Sequence, residues 1–167
     1  MADERKLVTL AGGDKVNVSR ITDRLYLGGI IYDIDAFRRF VDEHDIGAVL
    51  SVWDDGLLRI DDIGVARKDY MHVFIGDNEQ ANIMQYFEST YKFLEKKIHD
   101  ENKNVFVHCH AGISRSATIV ICYLMQRRDM TFHEACKFVH DRRKIRPNAS
   151  FVRQLLMHEA NGGIVSL

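Results

Sequence analysis

The chain has 167 residues, 46% of them hydrophobic and 28% charged, and its 23 Lys plus Arg against 24 Asp plus Glu leave a formal net charge of -1. That length and composition predict one globular domain with a sizeable core, and the near-neutral balance gives no global attraction for nucleic acid. No apolar run reaches the roughly 18 residues of a membrane-spanning helix, and the opening Met1-Ala2-Asp3-Glu4-Arg5-Lys6 has no signal-peptide core and no glycine at position 2 for myristoylation.

Residues 1–16 are polar and broken by Gly12-Gly13, which predicts a loose or irregular arm. Val16-Asn17-Val18-Ser19 alternates as a strand does, and Arg24 to Gly29 reads as a second short strand stopped by glycines. Between Asp33 and His44, the residues Ala36, Phe37, Phe40 and Val41 share one helical stripe, with Asp33 as its cap. The nearly continuous apolar run Ile46 to Trp53 suits a central strand covered on both faces, and Asp54-Asp55-Gly56 turns the chain after it. Tyr70 to Ile75 is the next strand, closed by Gly76-Asp77-Asn78. From about Asn82 to His99, Ile83, Tyr86, Phe87, Phe93, Leu94 and Ile98 mark an amphipathic helix. Val105 to His108 is a short buried strand, and Ala117 to Met125 is apolar almost all round, as a central helix is. Thr131 and Glu134 form a capping box before a helix that carries Ala135, Phe138 and Val139. After Pro147, Asn148 caps a last helix that Gly162-Gly163 ends. This order predicts an α/β (α+β) fold over residues 17–160, a mixed sheet flanked by helices, with 161–167 a short tail.

Cys109, Cys122 and Cys136 are few, odd in number and without a CxxC pair. They predict a reducing, intracellular compartment, cytoplasmic first and nuclear second, rather than a disulfide framework. Cys122 and Cys136 fall at core positions. Cys109 does not: it lies in Val107-His108-Cys109-His110-Ala111-Gly112-Ile113-Ser114-Arg115-Ser116, where a strand ends and a helix begins. Ligands of α/β sheets bind at such ends, and a helix N-terminus turns several backbone N–H groups toward one anion. Gly112 permits a tight turn, and the planar fork of Arg115 suits two phosphate oxygens. An environment that favours a bound anion also favours a thiolate. A metal site at His108-Cys109-His110 is not expected, because adjacent residues point opposite ways and no third ligand cluster follows.

The pattern His108-Cys109-x-x-Gly112-x-x-Arg115-Ser116 resembles the signature of cysteine-dependent protein phosphatases. The full string from His108 to Ser116 is similar to that of the dual-specificity phosphatase family. Ile21 to Gly28 resembles the family's opening strand segment, and Arg146-Pro147-Asn148-Ala149-Ser150-Phe151 with Gln154-Leu155 resembles its closing one. The likeness runs from Val18 to Met157 and is to the small members that consist of a catalytic domain alone. It implies a mostly parallel sheet of four to five strands with a phosphate-binding loop between strand and helix.

The resemblance also implies roles. Cys109 matches the nucleophile and Arg115 the phosphate-binding arginine. Ser116 matches the hydroxyl that bonds the cysteine sulfur, and His108 the residue that supports the loop from behind. His110, Ala111, Gly112, Ile113 and Ser114 complete the phosphate cradle, and Asn148 matches an asparagine that braces it. The family's acid lies some thirty residues before the cysteine; Asp77, in Phe74-Ile75-Gly76-Asp77-Asn78, is the match, with Glu79 its nearest competitor. No metal or organic cofactor is implied. The implied substrates are phosphotyrosine and phosphoserine or phosphothreonine in proteins. A phosphoinositide is disfavoured by the absence of lysine from the loop, and an RNA 5′ end by the neutral charge. A phosphoprotein-binding module without turnover would have lost Cys109, Arg115 or the acid. Arg142, Arg143, Lys144 and Arg146 read either as a solvated face or as a positive surface beside the pocket. Nothing in the spacing demands a homodimer, although the N-terminal arm leaves room for one.

Overall fold

The computed structural model describes residues 6–164. Five strands, β1 (Val18–Thr22), β2 (Leu25–Gly28), β3 (Ile46–Val52), β4 (Tyr70–Val73) and β5 (Asn104–His108), form one sheet in the order β1-β2-β5-β3-β4. The β1–β2 pair is antiparallel and the other three pairs are parallel, so the sheet is mixed and mostly parallel, as expected.

The central strands are apolar on both faces because each face carries its own core. In β5, Val105 and Val107 join one cluster and Phe106 the other; in β2, Leu25 and Leu27 part from Tyr26 in the same way. This is the two-residue alternation of a pleated strand. On the Phe106 side lies α1 (Ile34–Glu43), whose Phe37 and Phe40 meet the Phe106 ring edge-on at 5.8 and 5.2 Å. Asp33 caps it, accepting from the Ala36 N–H at 3.1 Å. On the other side lie α3 (Phe87–Glu95), α4 (Arg115–Arg127), α5 (Phe132–Arg142) and α6 (Ala149–Ala160). Helix α4 is buried from Arg115 to Met125, which explains its lack of a polar face. Each fully buried Ile, Val or Leu there contributes roughly 1.5–3 kcal/mol of transfer free energy. Thr131 and Glu134 complete the capping box of α5, and Asn148 caps α6. Among the described residues no helix is long and apolar enough to cross a membrane.

Of the two readings of the arm, loose or irregular, residues 8–16 take the irregular one: Val8, Leu10 and Val16 are buried in the α1-side core, and Val8 N–H donates to the Val18 carbonyl at 2.8 Å. The segment turns back on itself at Gly12-Gly13, where both φ angles are near +100°. Its apolar residues are spread among polar ones because only one side of the turn is covered. The helix expected over Asn82 to His99 is split into a 3-10 turn (Met84–Tyr86), α3 and a π turn (Lys96–Asp100). In the π turn Lys97 is buried and its ammonium bonds Asp69 at 2.9 Å and Glu101 at 3.2 Å. A short helix, α2 (Ile60–Ile63), was not expected, since four residues show no period. Residues 1–5 of the arm and 165–167 of the tail lie outside the described residues.

Candidate active site

Residues 109–114 connect β5 to α4 and form a closed loop at the carboxyl end of the parallel strands. Glycine makes this closure feasible. Gly112 has φ of 70°, and a Cβ there would lie 2.3 Å from the carbonyl carbon of Gly28. The loop and the end of β2 therefore meet backbone to backbone, with Ile30 N–H donating to the His110 carbonyl at 3.0 Å.

Four consecutive loop carbonyls, those of residues 110–113, turn outward. Arg143 donates to the carbonyls of Gly112 at 2.8 Å and Ala111 at 3.0 Å, and Arg146 N–H to that of Ile113 at 2.9 Å. Because each peptide is planar and trans, the N–H groups of residues 111–114 face the opposite way, into the loop. The Gly112 N–H accordingly points at Cys109 Sγ, 3.2 Å away. Arg143 is only 3% exposed and also reaches Ser19 Oγ at 3.2 Å and Asn17 Oδ1 at 2.7 Å. Burial lowers its pKa to about 10, partly offset by its electrostatic interaction with Cys109. Of the four basic residues at 142–146, one is thus the brace of the loop, a role that the reading as a face or surface missed.

Cys109 is 3% exposed, and its Sγ lies 3.0 Å from Ser116 Oγ. His108, fully buried beneath it, has a pKa pushed down to about 4, chiefly by burial. Its neutral tautomer follows from its partners. The Cys109 carbonyl, 3.0 Å from Nδ1, only accepts, so Nδ1 carries the proton and Nε2 accepts from the Ser51 hydroxyl at 2.6 Å. Ser51 in turn accepts from Tyr70 at 2.7 Å, and Tyr70 from the Leu58 N–H at 3.2 Å. Ser51 and Tyr70 carry no sequence signal: Ser51 lies in the apolar strand β3, and Tyr70 is the first residue of β4.

The front of the site is more open. Arg115 Nη1 donates to Asp54 Oδ1 at 2.8 Å and to the Ile75 carbonyl at 2.9 Å. The bond from Arg115 lowers the pKa of the half-exposed Asp54. In the sequence Asp54 shows only turn chemistry, within Asp54-Asp55-Gly56. Asp77 sits at the rim, its Oδ1 accepting from Ser114 Oγ and Asn148 Nδ2, both at 2.8 Å. Asn148 N–H donates to Ser114 Oγ at 3.0 Å while its own Oδ1 caps α6, so Asn148 ties the rim, the loop and the helix together. His110 rests on the Trp53 ring at 4.8 Å, with Nε2 3.5 Å from Asp55. Ala111 and Ile113 lie on the exposed side of the loop. Glu79 is exposed and makes no hydrogen bond to the loop among the described residues. The structure therefore brings together around one loop the residues matched to the catalytic, phosphate-binding and supporting roles and leaves Glu79 outside it.

The sequence profile of the dual specificity phosphatase catalytic domain matches residues 25–161. The chain belongs to that family. It is 36% identical over 146 residues to a protein of Amsacta moorei entomopoxvirus provisionally named a tyrosine-protein phosphatase, covering 87% of this chain and 88% of the viral one. It is 45% identical over 92 residues to dual specificity protein phosphatase 1 of Mus musculus, covering 54% of this chain but only 25% of the mouse protein. Several curated relatives are thus much longer than the region they share with it. Among solved structures, PTP-2 phosphatase of Cydia pomonella superposes with a TM-score of 0.80 at 33% identity, covering 84% of this chain and 89% of that one. The activity class of the family, hydrolysis of phosphate monoesters by a cysteine-dependent phosphatase, is that of this domain.

Proposed function

We propose that the chain removes phosphate from phosphotyrosine and from phosphoserine or phosphothreonine in proteins through a cysteinyl-phosphate intermediate. The observation that carries this reading is the outward turn of four consecutive loop carbonyls, which turns the loop N–H groups toward the cysteine sulfur, that of Gly112 lying 3.2 Å from Cys109 Sγ.

The Cys109 thiolate attacks phosphorus in line with the leaving oxygen. The N–H groups of the loop and Arg115 hold the three equatorial oxygens, where the charge lies in the transition state. As the P–O bond breaks, the Asp77 carboxyl gives its proton to the departing alcohol or phenol. In the second step the Asp77 carboxylate takes a proton from water, the water oxygen bonds to phosphorus, and the P–S bond breaks. Inorganic phosphate leaves and the thiolate returns, stabilised by the Ser116 hydroxyl 3.0 Å away. His108 and Asn148 act as positioning residues, one beneath the nucleophile and one beside the acid. The protein-substrate reading draws support from the absence of lysine in the loop and from the names of the relatives.

The test is rapid acid quench of the enzyme with a phosphotyrosine peptide, followed by peptide mapping. A phosphoryl group on Cys109, with turnover lost by at least about 10⁴-fold in Cys109→Ser, is the expected result. Phosphate transfer to no residue, or turnover retained by Cys109→Ser, overturns the covalent route. Parallel assays with phosphotyrosine, phosphothreonine, phosphoinositide and 5′-triphosphate RNA decide the substrate class.

A further inference from the structure

The chain is nearly neutral, yet its arginines are not evenly spread. At the far end of α4 from the catalytic loop lies a second cavity of about 730 Å³, lined by Arg20, Arg24, Arg127, Arg128 and Arg142 together with His99. The twelve steps from Arg115 to Arg127 put it about 18 Å from the loop, along a rise of about 1.5 Å per residue. Among the described residues, Asp23 is the one carboxylate in its lining.

The five guanidinium groups differ in how they are held. Arg20 lies 3.7 Å from Asp23, and Arg127 pairs with Glu95 at 3.0 Å. The other three are positioned without a carboxylate within ion-pair distance among the described residues. Arg24 Nη1 is fixed by the Asn102 carbonyl at 2.7 Å and the Asn104 side chain at 3.3 Å. Arg142 stacks on the Phe138 ring, its guanidinium carbon 3.5 Å from the centroid, and Arg128 approaches the same ring at 5.1 Å. A ring or a carbonyl orients a guanidinium without neutralising it, so the planar forks stay charged and keep free N–H donors. His99 and Tyr123 bond each other at 3.0 Å across the floor, and Arg127 reaches the other His99 nitrogen at 3.3 Å. Such a constellation has the volume of a small-ligand site and the donors to match several phosphate oxygens at once.

We infer that this cavity is a second anion site, distinct from the catalytic loop, that binds a ligand with two or more clustered phosphoryl groups. The ligand is either a soluble polyphosphorylated molecule or the headgroup of a polyphosphorylated lipid. A single phosphate leaves most of the donors unused. The site does not depend on the chemistry assigned to Cys109.

Residue-resolved NMR of the full chain titrated with sodium tripolyphosphate tests this. The amides of Arg24, Arg128 and Phe138 are expected to shift with a common dissociation constant. Arg128→Gln/Arg142→Gln is expected to weaken that binding at least about tenfold, and Arg24→Gln about threefold or more. Turnover of a phosphotyrosine peptide should stay within about twofold in both variants, since neither touches the loop. If the double variant fails to fold through loss of the Phe138 stack, Arg24→Gln decides alone. Cosedimentation with phosphatidylcholine vesicles, with and without phosphatidylinositol bisphosphate, separates the sources: binding that needs the bisphosphate and is lost in the variants assigns the lipid. Binding of tripolyphosphate without vesicle binding assigns a soluble ligand. Shifts confined to residues 109–115, or unchanged affinity in a folded variant, overturn the inference.

Discussion

Two arginines flank the catalytic loop and behave as opposites. Arg143, behind it, is buried, makes four hydrogen bonds to uncharged acceptors and has no carboxylate within ion-pair distance among the described residues. Arg115, in front, shares one nitrogen between a half-exposed carboxylate and a carbonyl. Burying an unpaired guanidinium is costly unless its donors are satisfied. Here two of the four bonds go to the very loop carbonyls that turn outward, and the other two to Ser19 and Asn17. The back of the loop is therefore held in shape by uncharged partners, whereas in the mechanism proposed above the front keeps groups that exchange partners during catalysis. Changes at the front should cost activity with little loss of stability, and changes at the back should cost both.

The largest expected effect at the front is that of Asp77→Asn. The Oδ1 acceptor is retained for Ser114 and Asn148, but the transferable proton is gone. With a phosphotyrosine peptide, kcat is expected to fall by about 10²–10⁴-fold. With an aryl phosphate whose phenol is strongly acidic, the deficit should shrink, because that leaving group needs no proton. The thermal midpoint should be unchanged. Glu79→Gln, on the same turn, should behave as wild type; a leaving-group-dependent loss there instead would move the acid to Glu79.

At the back, Arg143→Met removes four hydrogen bonds and leaves the Gly112 carbonyl without its donor. Given about 1.5–3 kcal/mol gross for each bond to a charged group and the relief of burying that charge, a net loss of about 3 kcal/mol is expected. For a domain of this size that lowers Tm by about 6–12 °C. Turnover should fall as well, since the loop carbonyls lose their anchor. An Arg143→Met protein of wild-type stability but low activity would erase the distinction between front and back.

The contiguous part of this site was legible in the sequence because the loop is one strand-to-helix connection: Cys109, Arg115 and Ser116 all come from it. Asp77 was reachable through its distance from Cys109 and its turn. The braces were not. Arg143 stands among Arg142, Lys144 and Arg146, and composition cannot tell the one that turns inward from those that do not. Asn17 and Ser19 meet it from 126 and 124 residues away, a relation only folding creates. Asp54 was read as a turn residue because Asp-Asp-Gly is turn chemistry whether or not an arginine lies opposite. The sheet and its helices were legible from unbroken apolar runs and helical stripes; residues 8–16 bury Val8, Leu10 and Val16 on either side of a polar, glycine-broken turn, and α2 is four residues with no stripe.

His108 extends the comparison to pH. Its pKa in the folded protein is about 4 against an ordinary 6.5, because it is buried neutral. The unfolded chain thus binds more protons between those values, and stability falls as pH drops through that window. From pH 6 to 4.5 the loss attributable to this one group is about 2 kcal/mol, at about 1.36 kcal/mol per pH unit for one proton. His44 and His158, whose pKa values burial also lowers, add to the trend with the same sign. The contribution of His108 is therefore the difference between wild type and His108→Asn in chemical denaturation across that range. The variant is expected to start less stable and to lose less. Parallel curves would mean that the ring is not buried neutral.

The smallest effect, and the sharpest test of the front, is that of Asp54→Asn. Arg115 and Asp54 form an ion pair with one partner half-exposed, a class worth about 0–1 kcal/mol, or up to about fivefold in an equilibrium. The substitution should thus change kcat/KM by less than about fivefold and leave Tm where it was. Its direction on binding is set by charge: one negative group facing a phosphate dianion is removed, so inorganic phosphate should inhibit more strongly. Arg115 keeps its second anchor, the Ile75 carbonyl, which holds the guanidinium near the loop without competing as an anion. A loss of a hundredfold or more in kcat/KM would mean that Asp54 fixes Arg115 as firmly as the loop carbonyls fix Arg143. The front of the loop would then be a rigid frame like the back, and the division of labour between the two arginines would fail.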